Sequence, residues 1–345
     1  MNPSMIPLDA TGTSAAPLLS LRAVSKRFVS ELDTAAKIAR ALGAPVAAQT
    51  VHAVDRVDLE VARGEVVGLV GESGCGKSTL GRIAVGLSTP SEGTRWWKGI
   101  ADTALDAVAR RRARLAIQMI FQDPYASLNP RMRVTDIIGE APLAHGLIGR
   151  SEQNDYVTQL LQRVGLDGAM LRRFPHQFSG GQRARIGIAR ALAVQPEFLV
   201  CDEAVAALDV SIQAQVLNLF LRLRDELGLT YLFISHDLGV VRHLSDRVVI
   251  MYLGRVVEVA ATDAVFAHAN HPYTQALLAA APQLSVRRIA FAPVQGEIAS
   301  PLHPPSGCHF HPRCPHVMPR CRQAQPLLRE IAPGHWSACH LNDQH

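Results

Sequence analysis

The residues most suggestive of chemistry form a glycine-rich segment that follows a short apolar run at 66–70 and precedes a stretch compatible with a helix. Glycines let the backbone turn tightly and aim its N–H groups at phosphate oxygens, and a helix start adds the positive end of its dipole. Lys77 would supply positive charge to β- and γ-phosphates, and the Ser78 hydroxyl would bind Mg²⁺. The pattern predicts a nucleoside triphosphate site. Its residues are Gly71, Glu72, Ser73, Gly74, Cys75, Gly76, Lys77, Ser78 and Thr79.

A second chemical feature is a pair of acids, Asp202 and Glu203, directly after the apolar run 198–201. A phosphate-binding loop needs a metal-holding acid at the end of a neighbouring strand. We expect Asp202 to hold Mg²⁺, directly or through water, and Glu203 to polarise the attacking water as a general base. Acids are common at strand ends, so this assignment depends on the phosphate-binding loop beside it.

Alternating strand and helix patterns must position these residues. Apolar runs at 198–201 and 231–234 each follow a helix-like stretch, at 183–193 and 212–226. Buried strands alternating with helices are typical of parallel sheets in α/β domains. Nearer the N-terminus, strand patterns occupy 18–28, 51–61 and 66–70. We expect a loose tail over 1–17 and a short helix near 32–42 in an inserted loop.

Composition narrows the class of protein. The chain has 345 residues, a net charge of +5 and 48% hydrophobic residues, which is ordinary for a globular protein large enough to bury a core. It has no apolar run long enough to span a bilayer, and its N-terminus does not read as a signal peptide. The mild positive charge does not by itself indicate a nucleic-acid partner. Six cysteines without a secretion signal favour a reducing compartment.

The composition changes near residue 266, where proline, histidine and cysteine become frequent. Such a segment builds little core of its own, so something else must hold it in place. Four of the six cysteines lie here. Without a C-x2-C pair, zinc-ribbon spacing is absent, but four thiolates can still hold a [4Fe–4S] cluster or a zinc ion, or remain free. These cysteines are Cys308, Cys314, Cys321 and Cys339.

The segment 178–183, Phe-Ser-Gly-Gly-Gln-Arg, resembles the signature motif of ATP-binding cassette (ABC) ATPases. Other motifs of that family follow its order along residues 18–265. The segment 121–124 resembles the loop whose glutamine, Gln122, contacts Mg²⁺ and water. The segment 207–209 resembles the loop that crosses between subunits, and 234–237 resembles the loop of the switch histidine, His236. Phe28 stands where the family places an aromatic residue against adenine.

This resemblance implies an α/β fold of the ABC nucleotide-binding type, with a P-loop NTPase core sheet, an antiparallel β arm and a helical subdomain over about 123–190. It also implies a head-to-tail dimer with ATP between the chains. The catalytic residues would be Glu203, His236 and Gln122, with Mg²⁺ held by Ser78, Gln122 and Asp202. The second chain would contact the nucleotide through Ser179, Gly180, Gly181, Gln182 and Asp209. Ser179 can also cap a helix that begins at Gly180.

Several segments resemble the oligopeptide/dipeptide importer branch of this family. They are 125–130, 211–218, 251–254, 271–274, 296–308, 310–315 and 338–340. In that branch the four C-terminal cysteines hold a [4Fe–4S] cluster in some members, with zinc as the alternative here. The implied domains are 1–17 as a tail, 18–265 as the ABC ATPase domain and 266–345 as a C-terminal extension with a four-cysteine metal site.

The resemblance predicts an ATP-hydrolysing subunit, with ATP and Mg²⁺, that powers uptake of di- or oligopeptides. Its expected partners are two membrane-spanning permease subunits, a second ABC ATPase subunit and, through the complex, an extracytoplasmic solute-binding protein. We expect it at the cytoplasmic face of the inner (plasma) membrane, bound peripherally. Nickel or oligosaccharide import remains an alternative with the same architecture.

A soluble cassette ATPase acting on nucleic acid or ribosomes is the rival from another class. It would predict two cassettes or a long coiled-coil insertion, whereas the sequence has one phosphate-binding loop and one signature, so we expect no nucleic-acid partner. Two positions depart from the family pattern. Ala204 replaces a proline and Ala206 a serine. Both leave the acids and Lys77 unchanged, so we expect hydrolysis to survive, and the coupling between two ATP sites is the property these changes would affect.

Overall fold

The computed structural model describes residues 16–30, 49–123, 126–280, 296–297 and 299–344. A four-stranded antiparallel sheet has the strand order β2-β1-β4-β5. Its strands are β1 (Leu19–Val29), β2 (Thr50–Val61), β4 (Glu92–Trp97) and β5 (Ile100–Ala101). The strands predicted at 18–28 and 51–61 are confirmed, and the sheet corresponds to the expected β arm. The predicted tail up to residue 15 and the helix near 32–42 lie outside the described residues.

A larger, eight-stranded sheet carries the motifs in the order β11-β12-β10-β9-β3-β8-β7-β6. Five adjacent strands, β9, β3, β8, β7 and β6, run parallel to one another. The strands β10, β12 and β11 extend the sheet by antiparallel pairing. Every residue of β3, β7 and β8 is buried, which explains their uninterrupted apolar sequences. The strands are β3 (Val66–Val70), β6 (Ile117–Ile120), β7 (Phe198–Asp202), β8 (Thr230–Ser235), β9 (Arg247–Tyr252), β10 (Arg255–Ala261), β11 (Arg329–Ala332) and β12 (His335–Ser337).

Helices cover the large sheet. The helical stretch predicted at 183–193 corresponds to a helix that begins three residues earlier and ends one residue earlier, and the stretch at 212–226 lies within a longer helix. None of the helices in the described part of the chain combines the length and apolarity that a bilayer crossing requires. The helices are α1 (Lys77–Ala84), α2 (Ala107–Ala116), α3 (Val134–Ala144), α4 (Gln153–Arg163), α5 (Gly180–Leu192), α6 (Val210–Leu227), α7 (Leu238–Leu244), α8 (Thr262–His268), α9 (Pro272–Ala280) and α10 (Pro319–Gln323). Three of them, α3 to α5, fall in or near the predicted helical subdomain.

The core lies on both sides of the large sheet. On one side, side chains of β7 and β8 pack with α3 to α6, as Phe220 and Phe233 do at 5.7 Å between ring centroids. On the other side, Leu69 and Ile234 pack with α1 and the small sheet, through residues such as Leu59 and Leu80. This double burial fixes the ends of β3, β7 and β8, where the predicted site residues begin.

The C-terminal extension joins the large sheet through its main chain. In β12, Ser337 and Trp336 pair with Glu258 and Val259 of β10, and the N–H of Ala338 donates to the Val257 oxygen at 2.8 Å. The predicted boundary between 265 and 266 falls inside α8. Edge-strand pairing therefore holds in place a segment whose composition could not build a core.

Candidate functional site

The glycine-rich loop spans the turn between β3 and α1, and two of its glycines are required sterically. A Cβ on Gly71 would lie 2.1 Å from the Met251 carbonyl oxygen. A Cβ on Gly76 would lie 2.0 Å from the Ala53 carbonyl oxygen, and Gly76 has a φ of 106°. Side chains are excluded at both positions, so the loop backbone packs directly against β9 and β2.

Lys77 begins α1 and is buried beneath this loop. Its ammonium donates hydrogen bonds to the carbonyl oxygens of Gly71 at 2.8 Å and Glu72 at 2.9 Å. Only 4% of the residue is exposed. The loop thus wraps around a fixed positive charge, the arrangement that a bound anion requires.

A cavity of about 330 Å³ opens over the loop and collects residues that are far apart in sequence. Phe28 is 47% exposed, and the Lys26 ammonium lies 5.2 Å from its ring centroid. An exposed aromatic face at a phosphate-binding loop is suited to stacking on a nucleobase. The lining residues are Phe28, Val51, Ala53, Ser73, Gly74, Gly76, Lys77, Ser78, Thr79, Gln122, Glu203 and Pro301.

Asp202 ends β7 beside the start of α1. The Ser78 hydroxyl donates to its carboxylate at 2.8 Å. Burial raises the pKa of Asp202, the Ser78 hydrogen bond opposes that rise, and the nearby Glu203 charge adds to it. A hydroxyl and a carboxylate in direct contact form an oxygen-rich ligand pair of the kind that Mg²⁺ prefers, so the residues present fit that ion.

Glu203 brings the three predicted catalytic residues together. The Gln122 amide donates to one carboxylate oxygen at 2.7 Å, and His236 Nδ1 lies 3.4 Å from the other. The backbone of Glu203 has a φ of 49°, which is uncommon for a residue with a side chain. Its N–H donates to the Ile234 oxygen at 3.0 Å, and this bond holds the strained conformation. The three residues follow the ends of β6, β7 and β8.

The signature residues begin α5, away from this cavity. Ser179 is the N-cap and accepts from the Gln182 N–H at 3.3 Å, while the Gln182 side chain accepts from the Ser179 N–H at 3.0 Å. A Cβ on Gly181 would lie 2.3 Å from the Ile212 side chain, so α5 packs closely on α6. The predicted cap is confirmed. None of Ser179, Gly180, Gly181, Gln182 and Asp209 is among the described residues that line the cavity.

Sequence reasoning missed three residues that reach the phosphate-binding loop from the C-terminal part of the chain. Arg313 makes two hydrogen bonds to the Glu72 carboxylate, and the Tyr273 hydroxyl accepts from the Glu72 N–H. Pro301 lines the cavity. Arg313 and Glu72 are separated by 241 positions, and no local pattern marks either one as a partner of the other.

The four C-terminal cysteines lie near one another. The N–H of Cys308 donates to the Cys321 oxygen at 2.8 Å. Burial raises the pKa of Cys308 to about 11, and the charges of Cys321, Cys339 and Cys314 add to that rise. However, the described residues contain no group of three or more histidine, cysteine or acidic side chains arranged to hold a metal ion. The predicted iron–sulfur or zinc site is therefore not confirmed, because the thiols influence one another without converging on one point.

Comparison with protein-family models gives two matches. Residues 54–206 match the ABC transporter model, and residues 257–321 match the model of the oligopeptide/dipeptide transporter C-terminal region. The first contains the phosphate-binding loop, the signature and the acid pair. The second contains Arg313 and three of the four C-terminal cysteines.

Curated relatives are similar over nearly their full length. The oligopeptide transport ATP-binding protein AppF of Bacillus subtilis is 50% identical over 296 residues, covering 84% of this chain and 90% of that protein. A protein of Brucella ovis named for peptide import and ATP binding is 45% identical over 324 residues, covering 94% and 97%.

Solved structures show the same fold. CbiO1 of Clostridium perfringens, part of an ABC transporter complex, aligns with a TM-score of 0.59 and 25% identity over 73% of this chain and 91% of that one. A dimeric ATP-binding cassette with ADP and phosphate aligns with a TM-score of 0.59 and 27% identity over 71% and 98%. The chain therefore belongs to the ABC transporter family, as an ATPase of the oligopeptide/dipeptide transporter type.

Proposed function

We propose that this chain is the ATP-hydrolysing subunit of an importer for di- or oligopeptides and that it drives separate membrane subunits. The observation that carries the proposal is the presence in one chain of the ABC region, 54–206, and the oligopeptide/dipeptide C-terminal region, 257–321. Near full-length similarity to proteins named for oligopeptide transport supports it.

The proposed chemistry is attack of water on the γ-phosphorus of ATP. Glu203 takes a proton as the new O–P bond forms and the bond to the β-phosphate oxygen breaks, so ADP leaves with that electron pair. Gln122 and His236 each contact a different carboxylate oxygen of Glu203 and so help to fix the direction in which it faces. Lys77 offsets the charge of the transferred phosphoryl group.

Mg²⁺ would be held by Ser78, Asp202 and Gln122, and when bound it neutralises phosphate charge. The Ser78–Asp202 hydrogen bond keeps the two oxygen donors in contact.

A second ABC ATPase subunit, identical or not, would complete the site through its own Ser179, Gly180, Gly181, Gln182 and Asp209. The start of α5 supports this, because its capping box leaves a glycine-rich helix N-terminus, where a phosphate can approach the backbone closely. A dimeric cassette among the similar structures supports the same arrangement.

Two permease subunits and an extracytoplasmic solute-binding protein would complete the transporter, with this chain on the cytoplasmic face of the inner membrane. A cavity of about 1070 Å³ supports a contact with the permease subunits, because Gln122 of the catalytic group and Ala141 of α3 both line this cavity. A permease segment bound there would touch the residue that orients Glu203.

We also propose that Cys308, Cys314, Cys321 and Cys339 bind a [4Fe–4S] cluster, with zinc as the alternative. The main-chain hydrogen bond from the Cys308 N–H to the Cys321 oxygen brings two of these residues together and supports the proposal, although the thiols would have to shift to converge on a metal. Iron, zinc and sulfide should be measured after anaerobic purification. Four irons and four sulfides per chain are expected. The quadruple Cys→Ser variant is the control, and retention of metal by that variant would contradict the assignment.

The overall function is tested by isolating the tagged chain from its own membranes in mild detergent and identifying its partners by mass spectrometry. Two multi-spanning proteins, a second cassette and a solute-binding protein are the expected result. Stable association only with ribosomes or nucleic acid would instead support the soluble ATPase alternative. The Lys77→Ala variant controls for partners that depend on nucleotide.

A further inference from the structure

Glu72, the first residue after Gly71 in the phosphate-binding loop, has each of its polar groups held by a different part of the chain. Its N–H donates to the Tyr273 hydroxyl at 2.8 Å, and its carbonyl oxygen accepts from the Lys77 ammonium at 2.9 Å. Its carboxylate accepts from the Arg313 guanidinium at 2.7 and 2.9 Å. Two of these three partners come from the C-terminal part of the chain.

Arg313 is built into a buried position. Only 4% of its side chain is exposed, and its guanidinium lies 5.8 Å from the ring centre of Tyr252 and 5.9 Å from that of Phe310. The ring centres of Phe310 and Tyr252 are 5.3 Å apart, and those of Tyr252 and Tyr273 are 4.6 Å apart. The aromatic cluster therefore fixes the two C-terminal groups that hold Glu72, the Arg313 guanidinium and the Tyr273 hydroxyl.

The charge of Glu72 gives this contact a role in binding. A carboxylate in a loop that binds triphosphate would repel the ligand. The bidentate guanidinium neutralises that charge and, because its geometry is planar and rigid, it also fixes the position of the carboxylate. The same residue supplies one of the two carbonyl oxygens that hold Lys77.

We propose that Arg313 of the C-terminal extension is a positioning residue of the nucleotide site, which holds the phosphate-binding loop through Glu72 and masks the charge of that carboxylate next to the triphosphate. Tyr273 serves the same function at the Glu72 N–H. The extension is then a working part of the ATP site. This inference rests on the proposed position of the nucleotide.

The test measures MgATP affinity by isothermal titration on the full chain, with melting temperature measured in parallel. We expect Arg313→Ala to weaken binding by about 10-fold, the usual scale for losing a residue that orients a binding group. Arg329→Ala is the matched control, because Arg329 is an exposed arginine of the same extension, paired with Asp343. Its affinity should stay within about twofold of wild type, because surface ion pairs contribute little.

A double variant separates positioning from stability. Adding Glu72→Gln to Arg313→Ala removes the unmasked charge, so part of the lost affinity should return. A purely structural role would lower the melting temperature of Arg313→Ala and leave MgATP affinity unchanged, and that result would overturn the inference. If Arg313→Ala does not fold, Tyr273→Phe decides the question, because it removes one hydroxyl and keeps the ring. An affinity within about twofold of wild type in Tyr273→Phe would then overturn the inference.

Lys77→Ala distinguishes failure of this inference from failure of the site itself. Loss of MgATP binding in Lys77→Ala together with unchanged binding in Arg313→Ala would overturn only the role of Arg313. Unchanged binding in Lys77→Ala would show that the nucleotide lies elsewhere, and both proposals would fall.

Discussion

Replacing Glu203 with glutamine removes the proposed base while preserving its shape. In the structure Gln122 donates to one carboxylate oxygen at 2.7 Å and His236 lies 3.4 Å from the other. A glutamine keeps one acceptor oxygen for Gln122 and turns its NH₂ group toward His236 Nδ1. The positive φ of residue 203 is fixed by a main-chain hydrogen bond to Ile234, which the substitution does not touch. We therefore expect a folded protein that lacks only the proton acceptor.

The expected magnitude follows from the role of the lost group. A positioned general base contributes about 10²- to 10⁴-fold to a rate. At 1.36 kcal/mol per factor of ten, this corresponds to about 3–5 kcal/mol on the activation barrier. Because Glu203 would act on the attacking water and Lys77 on the phosphates, the loss should appear in kcat, with MgATP affinity within about threefold of wild type.

The assay is phosphate release at saturating MgATP, combined with a separate MgATP binding measurement. Glu226→Gln is the matched control, because Glu226 lies on α6 with 49% of its side chain exposed and pairs with Arg222 one helical turn away. Its rate should equal that of wild type. A Glu203→Gln enzyme that hydrolyses ATP within about threefold of wild type would refute the assignment of the base.

Three further outcomes are expected. Asp202→Asn should raise the Mg²⁺ concentration needed for half-maximal hydrolysis by about 10-fold or more, and an unchanged requirement in a Mg²⁺ titration would contradict the ligand assignment. Ser179→Ala should lower the free energy of unfolding by about 1 kcal/mol through loss of the α5 cap, measured by denaturant titration; an unchanged value would contradict the capping role. Burial lowers the pKa of His271 to about 4, so the unfolded chain takes up a proton that the folded chain does not between about pH 6.5 and 4, and stability should fall as pH falls through that window. His271→Gln should flatten this dependence in a melting-temperature series, whereas the exposed His303→Gln control should not.

The ATP site could be predicted from the sequence because its signals are local. The segment from Gly71 to Thr79 has a fixed spacing, follows an apolar strand and runs into the start of a helix. The acids at 202 and 203 follow another fully buried strand. The capping box of Ser179 and Gln182 is likewise a pattern of four consecutive residues. Each feature depends on residues close together in the chain.

The connection between the two ends of the chain could not be predicted in this way. Arg313 contacts Glu72 from 241 positions away in the sequence, and β12 pairs with β10 across a long intervening segment. Neither contact has a periodic pattern or a fixed spacing. Composition showed that the C-terminal extension needs an external support, but it did not show that the support is an edge strand.

The predicted cysteine metal site is a case in which the sequence pattern predicts more than the structure shows. Composition and the family resemblance both group the four thiols, and the structure places them within mutual electrostatic influence. Grouping in sequence says nothing about whether four sulfur atoms converge at bonding distance, and among the described side chains they do not form a metal site. The sequence can therefore identify candidate ligands, but whether they meet in a metal-binding geometry depends on the folded structure.

The central claim, that hydrolysis at this site powers peptide import, is tested most directly by uptake of radiolabelled di- and tripeptides. Cells lacking this chain should take up these peptides again when supplied with the wild-type chain or with Glu226→Gln. They should not do so with Lys77→Ala or Glu203→Gln produced at the same level. Equal peptide uptake with and without the chain, or full restoration by Lys77→Ala, would contradict the account.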